Sequence, residues 1–159
     1  MSNLQLTQTP KSEVGMLIRK PVEAVFDAFV NPDVTTKFWF TKGSGRLEVG
    51  KQVRWDWEMY DISVPVTAKT IEPNERIEIE WPGYSGPTTV EWEFESRPDG
   101  TFVTIAESGF TGSGDELMKM VADSTQGFTF VVAGLKALLE HGIQLNLVAD
   151  THPPAAEDQ

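Results

Sequence analysis

No cysteine occurs among the 159 residues. That absence excludes a disulfide framework, thiolate catalysis and any thiolate-held zinc or iron–sulfur centre, and it leaves an intracellular location as the expectation. Positive charge is also scarce, with 13 Lys+Arg against 24 Asp+Glu and a formal net charge of -11 at pH 7. A field of that sign repels phosphate backbones and anionic headgroups, so neither nucleic acid nor a membrane surface is an expected partner. No apolar run approaches the ~20 residues that span a bilayer. Met1 to Lys11 has neither a basic n-region nor an apolar h-region, and the expected compartment is therefore the cytoplasm.

Recognisable catalytic and phosphate-binding motifs are missing as well. The histidines are His141 and His152 alone, with no third ligand at a metal-binding spacing, so no metal and no cofactor is expected. There is no Gly-x-Ser-x-Gly elbow; Gly43-Ser44-Gly45 reads as a flexible loop. The stretch Gly109 to Gly114 precedes a helix but carries no Lys-Ser/Thr and runs into Asp115 and Glu116, which would repel phosphate.

What the chain has in excess is large rings: nine Phe and five Trp in a sequence that is 40% hydrophobic. A mass of 17.7 kDa suits one domain with a sizeable core. Residues 12–149 are expected to form it, with 1–11, which end in Thr9-Pro10-Lys11, and 150–159, around His152-Pro153-Pro154, as flexible termini.

Hydrophobic periodicity orders the elements. Glu13 to Lys20 alternates Val14, Met16 and Ile18 on one side, as a half-buried strand does. Pro21 suits the start of a helix with the stripe Val22, Val25, Phe26 and Phe29, and Asn31-Pro32-Asp33 ends it and starts a short second one. From Arg46 to Gly109 the period is two, as in Val53/Trp55/Trp57, Ile77/Ile79/Trp81 and Val90/Trp92/Phe94. Turns at Leu47-Glu48-Val49-Gly50, Glu72-Pro73-Asn74-Glu75, Pro82 to Pro87 and Pro98-Asp99-Gly100 separate these strands. Pro65 lies within the strand Ile62 to Ile71 and implies an edge position or a bulge. Glu78, Glu80, Glu91, Glu93 and Glu95 fall on the polar face, a solvated exterior that Lys69, Arg76 and Arg97 partly neutralise. A capping box at Ser113-Gly114-Asp115-Glu116 opens the last long helix, Asp123 to Gly127 is expected to kink or restart it, and His141-Gly142 ends it. A curved sheet with one dry face needs a cover, and this helix is the only apolar element long enough, which makes the fold α+β of the helix-grip kind.

The series Arg19-Lys20-Pro21-Val22-Glu23-Ala24-Val25-Phe26, Lys37-Phe38-Trp39-Phe40, Leu47-Glu48-Val49-Gly50-Lys51, Ile71-Glu72-Pro73-Asn74-Glu75-Arg76-Ile77, Glu107-Ser108-Gly109-Phe110 and Gly127-Phe128 before Leu135-Lys136-Ala137-Leu138-Leu139 resembles the SRPBCC, or START-related, superfamily. Within it the sequence is similar to the group named after the C-terminal domain of the activator of the ninety-kilodalton heat-shock chaperone's ATPase. The resemblance covers residues 12 to 143. It implies a curved antiparallel sheet of seven strands wrapped around the long C-terminal helix, with two short helices after the first strand. Between sheet and helix it implies a cavity that binds apolar or amphipathic small molecules in many relatives. Two departures stand out: Phe128 occupies a position where the group commonly has Trp, and Pro65 interrupts a strand expected to be internal.

The expected cavity lies between the Val53/Trp55/Trp57 and Val90/Trp92/Phe94 faces of the sheet and the helix face through Met120, Ser124, Phe128 and Val132. Trp39, Phe40, Trp81 and Phe110 complete the candidate ligand-binding set, with indole N–H groups, Tyr60, Tyr84 or Asp61 as polar anchors. No catalytic residue stands out. The reading is a non-catalytic binding module for a hydrophobic or aromatic small molecule. The alternatives are an enzyme of the cyclase, aromatase or hydrolase kind using the same pocket, or an adaptor in contact with a chaperone or with a second copy of itself.

Overall fold

The computed structural model describes residues 4–153, so the expectation of flexible ends at 1–3 and 154–159 lies outside the described residues. The elements follow the periodicity: β1 (Ser12–Ile18), α1 (Val22–Val30), α2 (Pro32–Thr35), β2 (Lys42–Gly43), β3 (Gln52–Trp57), a 3-10 turn (Glu58–Tyr60), β4 (Ile62–Glu72), β5 (Arg76–Pro82), β6 (Pro87–Arg97), β7 (Gly100–Ser108), α3 (Gly114–His141) and α4 (Leu147–Thr151). The strands form one 7-stranded sheet in the order β1-β7-β6-β5-β4-β3-β2, and each neighbouring pair is antiparallel. The expected helix-grip architecture is the one observed.

One side chain in two faces the core. Val53, Trp55, Val66, Ala68, Ile77, Ile79, Val90, Trp92, Val103 and Ile105 are all buried, and their neighbours in sequence point outward. On the outer face Glu78 stands opposite Glu91, and the Arg76 guanidinium pairs with both carboxylates. A cation between two like charges offsets a cross-strand repulsion that would otherwise weaken the sheet.

Pro65 is tolerated because of the phase of its strand. The backbone N–H of Arg54 donates to Ser44 Oγ at 2.8 Å, and its carbonyl accepts from the Ser44 N–H at 2.9 Å. Arg54 thus turns its polar groups away from β4, and Pro65, directly opposite, sits in a pair without mutual hydrogen bonds. The proline nitrogen faces the β5 side, where pairing begins only at Thr67 opposite Glu80. An irregularity follows between Ala68 and Thr70, so this strand has both an open flank at the proline and a bulge further on.

In α1 the buried stripe is Val25, Phe26, Ala28, Phe29 and Val30. Asn31 ends that helix and caps the next, its side chain accepting from the Asp33 N–H at 3.0 Å. At the head of α3 the capping box is complete: Ser113 Oγ accepts from the Glu116 N–H at 3.2 Å, and the Ser113 N–H donates to Glu116 Oε1 at 3.0 Å. That backbone bond holds the Glu116 carboxyl below its ordinary range. Ser113→Ala should lower the melting temperature by roughly 2–4 °C in calorimetry, and an unchanged transition would show the cap to be idle. Gly142 closes α3 at φ +68, the left-handed turn that suits glycine.

Asp123 to Gly127, expected to kink or restart the helix, does not restart it: α3 runs unbroken from Gly114 to His141. Its polar side chains are satisfied without opening the helix: the Thr125 hydroxyl donates to the Val121 carbonyl at 2.7 Å, and Ser124 turns inward. Burial of Leu117, Phe128, Val131, Val132 and Leu135 on the same face outweighs the ~1 kcal/mol that Gly127 costs a helix. Two further elements lie outside the sequence expectation. The N-terminal segment reaches α3, where the Leu4 N–H donates to Asp115 Oδ1 at 3.1 Å, and α4 crosses position 149. Among the described residues no helix is long and apolar enough to cross a membrane.

Candidate functional site

The space between sheet and α3 is filled in one region and open in another. Where α1 and the loop after α2 cover the sheet, rings interlock: Phe26 meets Phe94 at 5.4 Å between centroids, Phe29 meets Trp92 at 5.8 Å, and Phe40 stacks on Trp55 at 4.4 Å. Trp39 marks the transition to open space, with Trp57, Trp81 and Phe128 at centroid distances of 6.2, 6.0 and 5.8 Å. Beyond it lies a cavity of about 320 Å³, a volume suited to a small molecule.

The candidate residues divide accordingly. Trp39, Trp57, Trp81, Ser124 and Phe128 line the cavity. Phe40, Trp55, Trp92 and Phe94 belong to the packed core instead, because α1 and the Phe38-Trp39-Phe40 segment fill the part of the sheet that those residues face. Expecting the cavity between the Val53/Trp55 and Val90/Trp92/Phe94 faces therefore places it too far under the short helices. Val132 is 1% exposed within the core, while its neighbour Val131 lines the cavity, since one residue turns a helix by about 100°. Phe110 packs on Tyr84 at 5.9 Å, and Met120 lies beside Ser85, whose Oγ is 3.8 Å from the sulfur; neither is part of the lining. Of the expected polar anchors, Tyr60 and Tyr84 line the cavity, whereas Asp61 ends the 3-10 turn in a left-handed conformation.

The strongest polar feature is one that sequence reasoning missed as a site residue. Glu107 lines the cavity yet is 2% exposed. Its Oε1 accepts from Ser124 Oγ at 2.7 Å, and its Oε2 accepts from Thr88 Oγ1 at 2.6 Å and from Trp81 Nε1 at 3.0 Å. Ser12 Oγ lies 2.7 Å from Ser124 Oγ and extends the network to β1. Among the described residues no lysine, arginine or histidine forms an ion pair with this carboxylate. The signal was available in the phase of β7, where Thr101, Val103, Ile105 and Glu107 share the inward face: a carboxylate at the end of a dry row is itself a pointer to a site.

Two phenols fix the rim. The Tyr84 hydroxyl donates to Asp123 Oδ2 at 2.6 Å, and burial, aided by that carboxylate, pushes the phenol far above its ordinary range, so it stays neutral. The Tyr60 hydroxyl donates to the Val148 carbonyl, which holds α4 against the cavity. Val148, Thr151 and His152 thereby become part of the wall, with the imidazole edge-on to Tyr60 at 6.2 Å.

Solved structures share this architecture. The chain superposes on the protein SSP2350 from Staphylococcus saprophyticus with a TM-score of 0.75 at 29% identity, covering 86% of this chain and 96% of that one. The Aha1 dimer from Colwellia psychrerythraea gives a TM-score of 0.72 at 19% identity, over 84% and 98% of the respective chains. CalU16 from Micromonospora echinospora gives 0.65 at 16%, over 87% and 79%. No curated protein matches the sequence. Residues 19–140 match the family described as Activator of Hsp90 ATPase homolog 1-like protein, and a match over that much of the helix-grip domain shows that the chain belongs to this family.

Proposed function

We propose that the protein is a non-catalytic binding module for a hydrophobic or aromatic small molecule, held in the cavity between the sheet and α3. The observation that carries this reading is the cavity itself: about 320 Å³ bounded by Trp39, Trp57, Trp81 and Phe128, beside a core in which Phe26, Phe29, Phe40, Trp55, Trp92 and Phe94 pack together. Large rings with a few convergent polar groups are the usual lining of a small-molecule site. Buried Glu107 keeps an enzymatic reading in view, that of a cyclase, aromatase or hydrolase acting in the same pocket. The binding reading needs the cavity alone, whereas an enzymatic one also needs a reacting partner for that carboxylate, and the groups bonded to it are the Ser124 and Thr88 hydroxyls and the Trp81 indole, which hold it in place. Contact with a chaperone or with a second copy of the chain would use the exterior and leave the cavity to a ligand.

Native mass spectrometry of freshly purified protein should show a retained small molecule or an exchangeable site. Phe128→Ala removes a wall that Trp81 stacks on at 6.2 Å and 27°. It should weaken binding of the apolar dye Nile red by roughly tenfold, beyond any loss of folded protein. Equal dye affinity in wild type and Phe128→Ala would reduce Phe128 to packing and remove this placement of the ligand.

A further inference from the structure

Resting on the binding reading above, we infer that the ligand carries a protonated amine on its apolar or aromatic body. The inference comes from the polar inventory of the cavity. The carboxylates in its lining are Glu107 and Asp123, with His152 at the α4 wall and no lysine or arginine beside them. Glu107 is buried without a cationic partner, although a buried carboxylate is costly until an opposite charge or enough donors reach it. Three of its acceptor positions are filled; the second lone pair of Oε1, which accepts only from Ser124, remains.

Several donors of the lining are spent within the protein, while the indole N–H groups of Trp39 and Trp57 and the Gln126 amide make no hydrogen bond among the described residues. Trp81 Nε1 donates to Glu107 and Thr88, Ser124 to Glu107, Tyr84 to Asp123, and Tyr60 and Thr151 to the Val148 carbonyl. Their oxygens, like the two carboxylates, still accept. A ligand entering this site meets acceptors and negative charge at the polar positions and rings elsewhere. An ammonium matches both, since it donates three hydrogen bonds, neutralises a carboxylate and is attracted by indole rings. A carboxylate or phosphate ligand would find donors but no lysine or arginine, and would lie against the like charges of Glu107 and Asp123.

The test compares three probes with one body: 4-phenylbutylamine, 4-phenylbutan-1-ol and 4-phenylbutyrate, titrated by calorimetry at neutral pH, where the amine is cationic and the acid anionic. The amine should bind roughly tenfold more tightly than the alcohol, and the carboxylate more weakly than either. In Glu107→Gln, which keeps the side-chain shape, the preference for amine over alcohol should shrink towards unity. The wild-type comparison needs no variant, so poor folding of Glu107→Gln would leave the proposal open to refutation. Should the alcohol bind as well as the amine or better, the cationic ligand is wrong and the apolar cavity survives. Should none of the three bind, the cavity reading falls and takes this inference with it. A preference that persists undiminished in a folded Glu107→Gln protein would overturn the role given to that carboxylate.

Discussion

Trp55→Ala is expected to destabilise the protein by about 3–5 kcal/mol, as truncation of a fully packed indole does. Trp55 is 1% exposed, stacks on Phe40 at 4.4 Å, and has Trp39 at 5.0 Å between centroids. Its removal takes away transfer free energy and leaves a hole that the β-sheet backbone cannot close. Urea unfolding followed by far-UV circular dichroism measures the loss directly. A shift below ~1 kcal/mol would mean that the neighbouring rings collapse into the space, and that the packed region is softer than its interlocked aromatics indicate.

Leu135→Ala, on the gripping helix, should cost about 2–5 kcal/mol by the same mechanism, its side chain being 0% exposed in the core. Two turns of α3, about 10 Å, separate it from Phe128, and it takes no part in the cavity lining. The new void therefore stays separate from the cavity, and Nile red affinity should be unchanged at a temperature where the variant is folded. The two substitutions on one helix, Leu135→Ala and Phe128→Ala, thus separate stability from binding. If Leu135→Ala weakened dye binding in the folded state, the core and the cavity would form one continuous volume.

Local rules made most of the architecture legible. The period-two phase of β3, β5, β6 and β7, the stop at Asn31-Pro32, the Ser113 to Glu116 box and the left-handed Gly142 each depend on neighbours a few residues away, and each is where the sequence places it. The position of the cavity depends on something nonlocal. Trp55 and Trp57 are equivalent in the strand pattern; what distinguishes them is that Phe40 stacks on the first while the second borders open space. Likewise, a polar stretch such as Asp123 to Gly127 reads as a break until a buried carboxylate supplies the partner for Ser124. The five residues of α4 escaped notice because Asn146 enters at φ +56 and makes no side-chain cap, so none of the usual start signals is present.

The attachment of α4 has a kinetic consequence. This wall of the cavity is a short helix that follows two left-handed positions, Gly142 at the end of α3 and Asn146 at its own start, and it is held by the Tyr60 hydroxyl on the Val148 carbonyl and by packing of Val148 on the core. Partial detachment of such a segment requires far less free energy than global unfolding. For a ligand of the kind proposed, opening of residues 143–152 would set how fast it enters and leaves, whereas the closed contacts of the sheet, α3 and the α4 side chains would set how tightly it is held. Changes in the strap that leave its closed contacts intact would speed or slow association and dissociation together and leave their ratio alone. The residence time of the proposed ligand would then change without a change in selectivity.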